Sequence, residues 1–314
     1  PSRLIPGQYP ANPKHALLIN NGKGFFTDKI KEVAPELNQA GLITDAKWMD
    51  LEEDGKNELI TVGEWMPVQV WHLKNNLLVP GNRIGKKGFW NCLEAFDANK
   101  DGKIDLMVGN KGLNTQLKTP VTLLYDDFDA NGTKDPIMAY SYNYILYPMA
   151  SRDDLLSQLP GFKKRFTTYE AYSNTSFNDL LSVKQRKNAQ YFEAETLETQ
   201  LFLNMGKGEF KIGNLPLEAQ YSTVSAIISG DWNKDGNMDI ILAGNDSHQR
   251  VKFGKMDANK GQVFLGKGNG TFQYVSPSKS NLNIEGDTRK IYFLQNGKLI
   301  FLRNNDFPVL YQLN

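Results

Sequence analysis

The chain lacks most of the features that would place it in a membrane, a disulfide scaffold or a nucleic-acid complex. It has one cysteine among 314 residues, Cys92, so no intramolecular disulfide can form. That residue lies in the apolar run GFWNCLEAF, where a free thiol is expected to be buried and inert. No stretch approaches the ~18 uninterrupted apolar residues of a spanning helix, so no membrane insertion is predicted. Lys and Arg total 36 against 35 Asp and Glu, a net charge of +1, which offers no field for nucleic acid or an anionic surface. Histidine is scarce, and His15, His72 and His248 stand far apart, as expected of surface or packing residues. There is no H-E-x-x-H and no G-x-S-x-G. GNRIGKKG (81–88) lacks the spacing and hydroxyl of a Walker loop. GKGNG (266–270) runs into a strand, not into the helix N-terminus that would hold an anion. No catalytic residue is predicted. The chain opens at Pro1 without methionine or a leader-like segment, the pattern of a processed product.

What the chain does have is a repeated acidic loop. DWNKDGNMDIILAGND (231–246) places an oxygen donor at positions 1, 3 and 5, glycine at 6 and a carboxylate at 9. DANKDGKIDLMVGN from Asp97 and DFDANGTKDPIMAY from Asp127 repeat it, and DLEEDGKNELITVG from Asp50 is a looser copy. Alternate residues of a tight loop can face one centre, glycine permits the sharp turn, and calcium takes six to eight hard oxygen ligands. The position-7 residues, Lys103, Thr133 and Asn237, would add a backbone carbonyl. A helix–loop–helix calcium site also needs a bidentate Glu at position 12, where these loops carry Leu242, Val108, Met138 and Thr61. MDIILAG, IDLMVG and DPIMAY then read as short buried strands, so the loops are expected to join two β-strands. The bland alternative is a set of Asp and Asn residues that merely cap turns. Three like charges within a few ångströms argue against it in the absence of a cation.

A second element also recurs. LLINNGKGFF (17–26), LFLNMGKGEF (201–210), VFLGKGNGTF (263–272) and the related FLQNGKLIFL (293–302) read as hairpins around glycine turns. Residues 151–182 break the β pattern with helical spacing. Ser151 with Asp154 and Thr167 with Glu170 suit capping boxes, and Pro160 divides two short helices. Lys163, Lys164 and Arg165 read as a solvated helix face. DANKGQ (257–262) lacks the later carboxylates and reads as a plain turn. Trp48, Trp65 and Trp71 fall in strand runs and are expected in the core, whereas Trp232 should point away from its loop's centre.

These loops and hairpins resemble the FG-GAP/VCBS repeat, the integrin-α-like blade in which D-x-[DN]-x-[DN]-G-x-x-D joins two strands. SRLIPGQYP, TDAKWMDLEEDGKNELITVGEWMP, DDFDANGTKDPIMAYSYN, YPMASRDDLLSQLP, LPLEAQYSTVSAI and LIFLRNND extend the resemblance over nearly the whole chain. They are similar to the C-terminal region of large secreted VCBS-repeat proteins of Bacteroidetes-type bacteria. The resemblance implies Ca2+ ligation by Asp97, Asn99, Asp101 and Asp105, by Asp127, Asp129, Asn131 and Asp135, and by Asp231, Asn233, Asp235 and Asp239. At Asp50, Glu52, Asp54 and Glu58 longer Glu side chains replace Asp or Asn and push two carboxylates outward, which weakens a fourth site. No other cofactor is implied.

The expected fold is all-β: a single-domain β-propeller over 1–314, of about five four-stranded blades starting near Leu42, Gly88, Val121 and Ser222, with a last unit from 287–314. The 2–28 strands would close the ring on that last unit, or the ring would be open. The expected function is a calcium-stabilised, non-enzymatic binding module for a protein or glycan, extracellular, on the cell surface or periplasmic. A polysaccharide-active enzyme or its accessory domain is the second reading, since carboxylates are plentiful, and a structural spacer is the third.

Overall fold

The structure is a computed structural model and describes residues 1–294 and 297–312. The all-β class holds, with six separate antiparallel sheets among the described residues. β1 (Leu18–Asn20) and β2 (Phe26–Asp28) form a two-stranded sheet of their own. β3 (Leu42–Met49), β4 (Glu58–Lys74) and β5 (Leu77–Phe89) form a three-stranded sheet. β6 (Cys92–Phe96) and β7 (Asp105–Gly109) begin the next. The chain then builds a sheet from β8 (Val121–Asp126), β9 (Asp135–Tyr142), β10 (Ile145–Pro148) and β11 (Gln190–Ala194), ordered β10-β9-β8-β11. Only afterwards do β12 (Gln200–Gly206) and β13 (Glu209–Gly213) complete β13-β12-β7-β6. β14 (Val224–Gly230), β15 (Asp239–Gly244), β16 (Gln262–Gly266) and β17 (Phe272–Val275) pair in chain order. β18 (Thr288–Leu294), β19 (Lys298–Arg303) and β20 (Val309–Gln312) form the last sheet.

This corrects the expected propeller of about five four-stranded blades. Among the described residues three of the six sheets have four strands, the others have two or three, and no sheet closes on itself. The unit expected from Gly88 begins with β6, and its outer strands arrive from beyond residue 199. The unit expected from Val121 lies between β7 and β12, inserted into that sheet's sequence. Among the described residues β1 and β2 pair only with each other and complete no C-terminal sheet. Repeat spacing shows which segments are alike, but strand partners are set by where a later hairpin finds an open edge. The tip of the predicted FLQNGKLIFL hairpin, residues 295–296, and residues 313–314 of the predicted last unit lie outside the described residues.

The predicted buried strands are in place. β7 and β15 are buried along their whole length, as their unbroken apolar runs require of central strands. Trp90, fully buried, meets Phe202 of β12 edge-on at 6.2 Å and ties the β3–β5 sheet to the β6–β7 sheet. Cys92 is buried as expected, and burial pushes its thiol pKa far up, which leaves it unreactive. Trp65 and Trp71 are buried, but Trp48 is half exposed, on the rim of a pocket it shares with His15, Leu17 and Leu37. Trp232 stacks at a tilt on Phe293 of β18, 5.4 Å away, between two sheets.

β4 does not run straight. Glu58 and His72 are fourteen residues apart, roughly 46 Å if extended at ~3.3 Å per residue. Their ligand atoms nevertheless share one cluster within 4.8 Å. The strand doubles back at Trp65, whose φ of +63° lies in the left-handed region, and Trp71 Nε1 donates to Thr61 Oγ1 at 2.9 Å across the fold.

The helical segment is longer than 151–182, since a final turn spans Val183–Asn188 before β11. Ser151 and Asp154 form the expected capping box. The second cap is Thr168, accepting from Ala171 N–H, one residue later than expected. The solvated-face reading holds only in part: Arg165 donates to the carbonyls of Leu180 and Asp179 and holds two turns together.

Asp287 fixes the last sheet to the 246–248 loop. It is buried and accepts from Ser247 N–H at 3.0 Å, with His248 Nδ1 3.1 Å away. Burial raises its pKa, but the His248 and Ser247 hydrogen bonds and nearby Arg289 outweigh this and hold the pKa below the usual range. Its stabilisation is therefore present above the ordinary Asp pKa and lost as pH falls through the depressed value. Asp287→Ala is expected to cost about 2–3 kcal/mol, read by urea denaturation at neutral pH.

Candidate functional site

Each of the four acidic loops closes an antiparallel strand pair: β3–β4 (Met49 opposite Glu58), β6–β7 (Phe96 opposite Asp105), β8–β9 (Asp126 opposite Asp135) and β14–β15 (Gly230 opposite Asp239). The expected strand–loop–strand context is met four times.

The loops share one backbone. Position 4 is left-handed in each (Glu53, Lys100, Ala130 and Lys234, φ 58–62°), and position 6 is a glycine at φ 80–89°. The first carboxylate receives the glycine N–H: Gly55 to Asp50 at 2.9 Å, Gly102 to Asp97 at 2.9 Å, Gly132 to Asp127 at 2.8 Å and Gly236 to Asp231 at 2.9 Å. Position 3 accepts from position 5 in three loops: Asp101 N–H to Asn99 at 3.0 Å, Asn131 N–H to Asp129 at 3.3 Å and Asp235 N–H to Asn233 at 3.0 Å. Position 5 accepts from the position-7 N–H of Lys56, Lys103, Thr133 and Asn237. These contacts wind the chain so that alternate side chains sit on the inside of the turn. They also account for part of the acidity as turn capping.

The ninth residue differs between loops. Asp105 accepts from Ala98 N–H (2.9 Å) and Asn204 N–H (2.7 Å), and Asp239 from Trp232 N–H (3.0 Å) and Gly266 N–H (2.9 Å), so both oxygens of each staple the loop to its neighbours. Asp135 instead receives Gln158 Nε2 at 3.3 Å on Oδ1. Its Oδ2 is buried and has no partner within hydrogen-bond limits, although the Phe128 N–H, at the loop position of Ala98 and Trp232, still acts on the carboxylate and lowers its pKa. Burial pushes the pKa of Asp105, Asp135 and Asp239 upward, opposed by their N–H partners. Asp97 Oδ1 is likewise buried and without a partner.

Asp127, Asp129 and Asp135 bring one oxygen each within 4.8 Å of one another. Two ligands on one Ca2+ at 2.3–2.6 Å lie at most about 5.2 Å apart, so the set fits a single ion. The Asp97 and Asp231 loops place Asn at position 3, and no such group of three carboxylates converges there among the described residues. In the first loop Asp54 is drawn to Lys56 Nζ at 3.0 Å, and Glu52 and Glu58 meet His72 instead. His72 was missed by sequence reading, because only the reversal of β4 brings it back to the loop.

A cleft lies beside the inserted sheet. Two adjoining cavities of about 460 and 480 Å³ share Leu113, Leu117 and Lys118. Asn114, Thr115 and Gln116 line the first with Phe253, and Glu195 and Glu198 line the second with Lys86. Sequence reading gave no sign of this surface, since its residues come from segments scattered between Lys86 and Met256.

Among the described residues no helix is long and apolar enough to cross a membrane. No protein-family model and no curated protein matches the chain. Among solved structures, the crystal structure of the V. cholerae biofilm matrix protein Bap1 is similar at 9% identity and a TM-score of 0.27, over 89% of this chain and 61% of that one.

Proposed function

We propose that this chain is a calcium-stabilised, non-enzymatic interaction module that works outside the cytosol, with the Asp97, Asp127 and Asp231 loops of FG-GAP/VCBS type as its ion sites. The observation that carries the reading is the convergence of Asp127, Asp129 and Asp135, one oxygen of each within 4.8 Å of the others. A bound Ca2+ supplies the positive charge that offsets this cluster. The chain's own part is to hold the donors: the Gly132 and Asn131 N–H groups orient Asp127, and Gln158 orients Asp135. Affinities of about 10⁻⁴–10⁻³ M, typical of extracellular modules, suit calcium-rich surroundings. Calorimetric titration with Ca2+ is the test: Asp129→Ala, which removes the side-chain donor outright, should remove one site and leave the others. Unchanged stoichiometry would refute the assignment of that loop.

The ligand surface is the cleft, whose amide, hydroxyl and lysine lining beside Phe253 suits a polar chain such as a glycan or an extended peptide. A second reading, cleavage of a polysaccharide, attaches to Glu195 and Glu198, which both line the cleft. A glycan screen with a reducing-end assay separates the two. Binding without turnover supports the module, whereas turnover abolished by Glu195→Gln or Glu198→Gln favours the enzyme.

A further inference from the structure

We propose that the first loop has exchanged calcium chemistry for that of a first-row transition ion, with Glu52, Glu58 and His72 as a Zn2+-class site. The donor set is mixed and comes from three places: position 3 of the loop, the first residue of β4, and the far arm of β4 after its reversal at Trp65. One ligand atom of each lies within 4.8 Å of the others. Calcium and magnesium take oxygen donors, whereas imidazole selects Zn2+, Cu2+, Ni2+ or Co2+. Two carboxylates and one imidazole make a three-ligand protein set of the kind open zinc sites use.

Two further observations separate His72 from an ordinary packing histidine. Its ring occupies a slot that only glycine leaves open, since a Cβ at Gly81 would lie 2.2 Å from ring atoms Cε1 and Nδ1. The ring nitrogen turned to the loop is Nε2, 3.0 Å from Glu52 Oε1, while Nδ1 lies against Gly81 and takes no part in the cluster. The 3.0 Å spacing is close to the ~3.3 Å between two ligands on one tetrahedral zinc. Glu58 is 3% exposed, and its Oε2 is held by the Leu51 and Glu52 N–H groups, which fixes the carboxylate before any ion arrives. The calcium donor set differs in parallel, since Glu stands at positions 3 and 9 where the other loops carry Asp or Asn. The longer Glu52 side chain, poorly placed for the loop's own centre, has the reach to meet β4.

The site is separate from the three calcium loops and stands or falls independently of them. The test is titration of the full chain with Zn2+ alone and with Co2+ alone, the latter followed by its visible ligand-field bands, each repeated in excess Ca2+. The expected result is one Zn2+ or Co2+ site that Ca2+ does not displace. His72→Gln and Glu52→Gln should each weaken it at least about 100-fold, the upper end of what losing even an outer-shell partner costs. His248→Gln, at the other histidine–carboxylate pair, should leave it unchanged. The exposed Glu52→Gln carries the test if His72→Gln folds poorly. Equal Zn2+ affinity in wild type and Glu52→Gln, displacement of Co2+ by Ca2+, or loss of the site in His248→Gln would each overturn the proposal. Loss of one Ca2+ site in Asp129→Ala bears only on the calcium reading.

Discussion

Calcium at about 10 mM is expected to raise the melting temperature by about 10 °C over protein in chelator. An ion that binds only the folded state contributes RT ln(1 + [L]/Kd), so at Kd of about 0.1–1 mM each site adds about 1.4–2.7 kcal/mol. The Asp97, Asp127 and Asp231 loops together give about 4–8 kcal/mol. A chain of this size shifts by about 2 °C per kcal/mol. Magnesium should restore little, because it demands short, octahedral, well-hydrated ligation that a loop stapled by its own N–H groups does not offer. The melt is read by circular dichroism in calcium, magnesium and chelator. Three coincident curves would remove calcium from the account of this protein.

Truncation of Phe202 to Ala is expected to cost about 3–5 kcal/mol. Phe202 is 1% exposed and meets fully buried Trp90 across the junction between the β3–β5 and β6–β7 sheets. The contact spans the whole inserted sheet and its helices, so it reports on whether β12 pairs with β7 as Gln200 opposite Val108 requires. A double-mutant cycle with Trp90→Leu should give a coupling of about 0.5–1.5 kcal/mol for the edge-on ring pair. Urea denaturation measures both. A Phe202→Ala cost below about 1 kcal/mol would mean that this non-local closure is not how the sheet is built.

The two predictions draw on different layers of information. The loop context was legible in the residues: the D-x-N-x-D-G spacing pointed to a sharp turn at the sixth-position glycine with a strand on each side, both local constraints, whereas the left-handed fourth residue emerged only from the structure. The reading of GKGNG as a hairpin turn held for the same reason, with β16 and β17 pairing across it. Trp48 and Thr168 show the limit even of local reading: a strand pattern does not say whether its outer face is covered, and a cap can shift by one residue.

The sequence by itself determined the β class, the four strand-joining acidic loops and the buried, unreactive Cys92, because each depends on neighbours within about ten residues. The tertiary structure alone decided that β12 and β13 close the β6–β7 sheet across an inserted one, that the sheets do not form the expected regular set of blades, and that His72 faces Glu52. These are pairings between distant segments, where open edges and a backbone reversal at Trp65 choose the partner. No spacing rule in the chain encodes that choice.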